Sequence, residues 1–147
     1  EVVYEMPFFG EALITTISCT HCKFKLNDVM ALKENNAKTY KKIIKTKNDM
    51  RLKVIRNSNA TIKIKEFGLE LKPADFSEGF ITNIEGVLNK FENILLQLQK
   101  SKLAEKQKKK VIELLEKVRN AKENKIKFSI ELIDKSGNSA IIKEKLK

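Results

Sequence analysis

The chain has 147 residues, 41 % of them hydrophobic, enough apolar material for one domain or one domain with a small appendage and too much for a disordered polymer. A net charge of +11 points towards an acidic or nucleic-acid partner. Neither a membrane-spanning apolar run nor a signal-peptide pattern is present, and the two cysteines are too few for a disulfide framework, so a cytoplasmic protein is expected.

Val2 to Phe9 is apolar and aromatic, and Pro7-Phe8-Phe9-Gly10 reads as a turn or extended link before the first strand. Adjacent phenylalanines cannot both point into one sheet face, so one of them is expected against the cysteine turn. Glu11 to Ile17 leads as a strand into Cys19-Thr20-His21-Cys22, which holds both cysteines and the single histidine, and Lys23 to Leu26 leads out alternating. A turn between two strands suits half of a zinc ribbon better than a redox motif, whose cysteines sit at a helix N-terminus. A disulfide and inert thiols remain open at this point. Four ligands close a structural zinc site; Cys19 and Cys22 supply two, and His21 is poorly placed between them. The chain opens on Glu1 rather than Met, as a fragment or the ordered part of something longer would. Asn27-Asp28 then precedes Val29 to Leu32, and Glu34-Asn35-Asn36 makes a polar break.

From Thr39 to Leu71 the hydrophobic period is two. Met50, Leu52 and Val54 alternate with Arg51, Lys53 and Ile55; Ala60, Ile62 and Ile64 follow the Asn57-Ser58-Asn59 turn; Phe67, Leu69 and Leu71 repeat the pattern. Half-buried strands with one wet face imply an antiparallel architecture, ended by Lys72-Pro73-Ala74-Asp75. The period then changes. Thr82 and Glu85 have capping-box spacing ahead of Ile84, Val87, Leu88, Phe91, Leu95 and Leu98 on one helical face. Gly86 in that first turn implies close packing. Past Lys100-Ser101-Lys102, a second helix sets Val111, Leu114, Leu115, Val118 and Ala121 on one face, so an antiparallel hairpin is expected. Period two returns at Ile126, Phe128, Ile130 and Leu132, with a turn at Asp134 to Asn138 and a last strand from Ser139.

Little here supports catalysis: the one histidine is tied to the cysteine turn, no phosphate-binding glycine loop occurs, and Asp134 and Glu85 are explained by a turn and a cap. A non-enzymatic protein is expected. The densest charge run is Lys100, Lys102, Lys106, Lys108, Lys109 and Lys110. Like charges commonly cover exposed helix faces, so it reads as the solvated tip of two helices, with an RNA-binding patch as the competing reading. Phe24, Phe76 and Phe80 lack the run of aromatics and glycines that base stacking uses, and are expected in core or turn packing.

Met6-Pro7-Phe8-Phe9-Gly10, Cys19 to Cys22, Asn27-Asp28-Val29, Arg51-x-x-Val54-x-Arg56 and Ala60-Thr61-Ile62-x-Ile64-x-Glu66 occur in that order, followed by Gly79 to Leu88 and Asp134-x-Ser136-Gly137-Asn138-Ser139-Ala140-Ile141. Together they resemble the Zpr-type zinc-finger domain in its short, single-module archaeal form, over nearly the whole chain. The resemblance implies mainly β structure with a helical hairpin: residues 1–36 as the C-terminal part of a zinc ribbon, and 37–147 as a double-stranded β-helix or jelly-roll-like domain with a helix pair inserted at about 83–123. It implies one zinc ion on Cys19, Cys22 and a second Cys-x-x-Cys upstream of Glu1. It also implies translation elongation factor 1-alpha as partner and client, against an RNA-binding zinc-ribbon module as the alternative. Lys23 stands where that family has glycine, and Lys65 and Lys135 where it usually has proline. Arg51, Arg56 and Arg119 are the only arginines among 30 basic residues. Arginine desolvates more cheaply than lysine and pairs bidentately, so Arg51 and Arg56 are the expected partner-binding residues.

Overall fold

The computed structural model describes residues 2–6, 10–32, 36–74 and 78–143. The N-terminal sheet takes β1 (Val2–Met6), β2 (Gly10–Ser18) and β3 (Lys25–Ala31) in that order, both pairs antiparallel. The first strand therefore begins earlier than the sequence pattern suggested, because Val2 to Met6 pairs in full with Gly10 to Ile14. The Pro7-Phe8-Phe9 link, the break at Glu34-Asn35, and Asp75 and Phe76 lie outside the described residues.

Two further sheets enclose the main core. One is β10 (Ala140–Ile142), β5 (Lys53–Arg56) and β8 (Phe80–Asn83); the other is β4 (Lys38–Ile44), β9 (Phe128–Asp134), β6 (Thr61–Ile64) and β7 (Leu69–Leu71). Every pairing is antiparallel, as the half-buried alternation required. The alternation is cleanest in β9, where Phe128, Ile130, Leu132 and Asp134 are buried and the residues between them are not. Val54 and Ile141 of the first sheet share one apolar cluster with Ile44, Ile62, Ile64, Phe128, Ile130 and Leu132 of the second. Met50 belongs to this core from a short 3-10 turn (Asp49–Arg51), not from a strand.

β5 departs from the expected single wet face. Val54, Ile55 and Arg56 are all buried, because Ile55 packs on the other side with Ala12, Val29, Ala140 and Ile142 in a second cluster shared with the N-terminal sheet. A strand covered on both faces needs apolar residues at successive positions.

The helices are α1 (Ile84–Lys100) and α2 (Glu105–Lys122), joined by four residues and therefore antiparallel. Ile84, Val87, Leu88, Phe91 and Leu95 bury one face of α1, and Val111, Leu115, Val118 and Ala121 one face of α2. Leu98, expected on that face, is 43 % exposed near the free end of the hairpin. Glu92 ties the pair together, taking Arg119 at 3.0 Å and Lys122 at 2.6 Å. Among the described residues no helix is long and apolar enough to cross a membrane.

The cap of α1 is one residue later than the capping-box spacing indicated. Thr82 and Asn83 close β8, and the Asn83 side chain accepts from the Gly86 N–H at 2.8 Å while Glu85 stays exposed in the first turn. Gly86 is there because a Cβ would meet the Thr82 hydroxyl at 1.9 Å. Asn83→Ala should therefore cost about 1 kcal/mol in a thermal or urea melt, the usual worth of an N-cap. An equal loss from Glu85→Ala would return the cap to the capping-box pair.

Candidate metal knuckle and a buried polar seam

Ser18 pairs with Lys25 across β2 and β3, so residues 19–24 form the connecting turn. The turn is closed by its own backbone: Cys19 N–H donates to Phe24 O at 2.8 Å and Lys23 N–H to Cys19 O at 3.0 Å. Lys23 takes φ 63°, a left-handed conformation suited to glycine and costing another residue about 1–2 kcal/mol. The position that carries glycine in the Zpr-type pattern is thus filled by lysine without loss of the turn.

The geometry favours the thiolate. Cys22 N–H points at Cys19 Sγ from 3.5 Å. The Cys22 backbone and then its side chain, with the His21 backbone, hold the Cys19 thiol below its ordinary pKa. Backbone N–H groups aimed at sulfur stabilise the deprotonated form, the one that binds metal. Both cysteines are free, Cys19 half-buried and Cys22 exposed, and His21 is exposed as well. The donor set fits half of a tetrahedral thiolate site. Among the described residues no group of three or more histidine, cysteine, aspartate or glutamate side chains stands close enough to complete one.

From the knuckle, β3 runs into a polar seam under the rest of the fold. Asp28 accepts from Ser58 through N–H at 3.3 Å and hydroxyl at 3.1 Å. Asn57 donates its side-chain N–H to Val29 O at 2.6 Å and its backbone N–H to Ser139 Oγ at 2.9 Å. Ser139 donates in turn to Asp134, which also accepts from Ser136 N–H at 2.8 Å and Asn138 N–H at 3.1 Å. Gly79 N–H donates to Asn27 O at 2.9 Å, and a Cβ on Gly79 would lie 2.7 Å from Asp28 Oδ1. Only glycine permits that approach. Asn27, Asp28, Val29, Gly79, Asp134 and Ser139, drawn from three of the segments through which the sequence resembles the Zpr-type domain, meet in this one joint.

Arg56 belongs to the joint, which corrects the expectation that it is a surface residue. It is 1 % exposed, with Nε donating to Ala60 O at 3.1 Å and Nη1 to Glu78 O at 2.6 Å. Burial pulls its pKa down, while Asp28 and Asp134 oppose that shift. The side chain lies over the Phe80 ring at 5.6 Å, and Lys90 approaches the same ring at 4.5 Å. Phe80 is thus packed, as expected, and Phe24 is 40 % exposed on the knuckle. Sequence reasoning passed over Asn57 and Ser139 because each reads as a turn residue; the signal available for Ser139 was its place in the quoted family pattern, and Asn57 lies outside that pattern.

Arg51 is exposed and makes no ion pair with a described residue. Two carboxylates of the neighbouring segments are engaged elsewhere: Glu70 pairs with Lys63 at 3.2 Å and Lys72 at 3.4 Å, and Glu66 accepts from Ser129. Close by, Asp49 accepts from the backbone of Lys45 and Thr46 and feels the charge of Lys143, which together hold its carboxyl below the usual range.

The ZPR1 jelly-roll domain family matches residues 48–147. An uncharacterised ZPR1-like protein of Methanocaldococcus jannaschii is 43 % identical over 140 residues, spanning 95 % of this chain and 71 % of that relative. A second, from Pyrococcus horikoshii, is 32 % identical over 150 residues, spanning 100 % of this chain and 67 % of that relative. The zinc finger chaperone zpr1 of Schizosaccharomyces pombe is 28 % identical over 145 residues, which covers 92 % of this chain and 30 % of that protein.

Proposed function

The chain belongs to the ZPR1 family, and from that premise we propose that it is a zinc-binding, non-enzymatic folding factor whose client is translation elongation factor 1-alpha. The observation that carries the reading is the knuckle itself: a family in which relatives are called zinc finger proteins, and a Cys19–Cys22 turn here whose N–H groups favour thiolate. Cys19 and Cys22 would hold zinc with two ligands from outside the described residues. Bound zinc would fix the β2–β3 turn by tying it to the segment that supplies those ligands. The chain's own residues do the rest: Asn57 and Ser58, bonded to Val29 and Asp28, hold the knuckle sheet on the β sandwich, so the two offer a partner one surface.

The client-facing residue is Arg51, exposed and close in sequence to the exposed Lys45 and Lys47. An exposed guanidinium left without a carboxylate is free to take one from a partner. Calorimetric titration with elongation factor 1-alpha should give a saturable one-to-one complex. Arg51→Ala should weaken it at least tenfold, about 1.4 kcal/mol, with the melting temperature nearly unchanged. Absence of a complex would sink the reading, and unchanged affinity in the variant would move the interface elsewhere.

A further inference from the structure

The net charge of +11 is confined to two stretches. Residues 100–110 hold six lysines and one glutamate, residues 38–53 hold seven basic residues and one aspartate, and the remaining residues balance at 17 of each sign. The second stretch faces carboxylates: Lys41 lies across from Glu131 in the β4–β9 register and acts on Glu66. The first does not. All six of its lysines are exposed, and among the described residues only Lys108 has an ion-pair partner, Glu105 at 3.5 Å.

Folding gives no reason for this arrangement. Lys106, Lys109 and Lys110 share one face of α2 at spacings of three and four, where like charges repel. They also sit in its first two turns, where the helix macrodipole disfavours positive charge. A sequence that breaks both rules at one place without compensation in the fold marks a functional surface. We propose that the free end of the α1–α2 hairpin docks on the phosphate backbone of duplex RNA, through Lys102, Lys106, Lys109 and Lys110.

The chemistry selects the partner. Lysines are point charges that meet phosphates without reading bases, and no aromatic residue lies between Phe91 and Phe128 to stack on one. An acidic protein would call for arginine forks, yet the one arginine of the hairpin, Arg119, is bound to Glu92 at 3.0 Å. Two helices side by side are roughly 20 Å wide, too wide for the ~12 Å major groove of B-DNA. The wide, shallow minor groove of A-form RNA accepts a surface of that breadth. Leu103 of the connecting loop packs back onto the core, whereas Leu98 and Ile112 of the hairpin are 43 % and 55 % exposed, so anionic vesicles are the comparison that separates a membrane from RNA.

The test is fluorescence anisotropy with a labelled RNA duplex of about 20 base pairs, the DNA duplex of the same sequence, and phosphatidylserine vesicles. The variant carries Lys102→Gln, Lys106→Gln, Lys109→Gln and Lys110→Gln. Its RNA affinity should fall at least tenfold, and the slope of log affinity against log salt should shrink by about 3–4, as four lost phosphate contacts require. Its melting temperature should hold, since repulsion is removed, and binding to elongation factor 1-alpha should be unchanged. An unaltered affinity or slope overturns the proposal. So does DNA bound as tightly as RNA, or a loss confined to vesicles.

Discussion

Arg56→Ala is expected to lower stability by about 3–5 kcal/mol, the cost of breaking a buried, hydrogen-bonded charge by removing one side. The guanidinium donates to Ala60 O and Glu78 O and feels the charges of Asp28 and Asp134. Without it, two carbonyls lose their donors and two carboxylates lose a nearby cation. For a chain of this size that is a fall of roughly 10–15 °C in melting temperature. Arg56→Lys should rescue little of it, since one ammonium cannot reproduce two N–H bonds held at the fixed spacing of a guanidinium. A melt of either variant within 2 °C of the parent, roughly 0.5–1 kcal/mol, would show that the joint is not what holds the sheets together.

Arg56 also shows where sequence reading stops. β9 was legible because one of its faces is wet, so burial and polarity alternate residue by residue from Phe128 to Asp134. The mainly β fold with an antiparallel helical hairpin followed from such changes of period. β5 was not legible in the same way. It is covered on both faces, one by the main core and the other by the N-terminal sheet, and no local period reports a second cover. An arginine beside a turn reads as surface until the carbonyls that satisfy it are known, and Glu78 is remote in sequence. The cap of α1 failed for a smaller reason. Thr82 and Asn83 are both good caps, and only the continuation of β8 through Thr82 gives the role to Asn83. The β2–β3 turn that carries Cys19 and Cys22 was legible from the strand patterns that lead into and out of it.

That knuckle carries the other large expected effect. Full-length protein purified without chelators should contain one zinc per chain by elemental analysis, and Cys19→Ser or Cys22→Ser should release it. Structural zinc contributes roughly 10–16 kcal/mol of apparent binding energy in small domains, much of it expressed as folding energy, so loss of one thiolate ligand is severe. Chelation should lower the melting temperature of the parent and leave the serine variants where they already are. The Cys19 thiol adds a pH dependence. Its pKa lies below the ordinary value in the folded chain, chiefly through the Cys22 backbone N–H, so folding favours the thiolate. That contribution is complete above the ordinary thiol pKa and fades as pH falls through the depressed one. Zinc uptake displaces the same proton, so zinc affinity should rise with pH and persist to lower pH than for an unassisted thiol. Cys22→Ser protein that retains its full zinc, or full-length protein with none, would remove the metal from the Cys19–Cys22 turn and with it the zinc part of the proposed function.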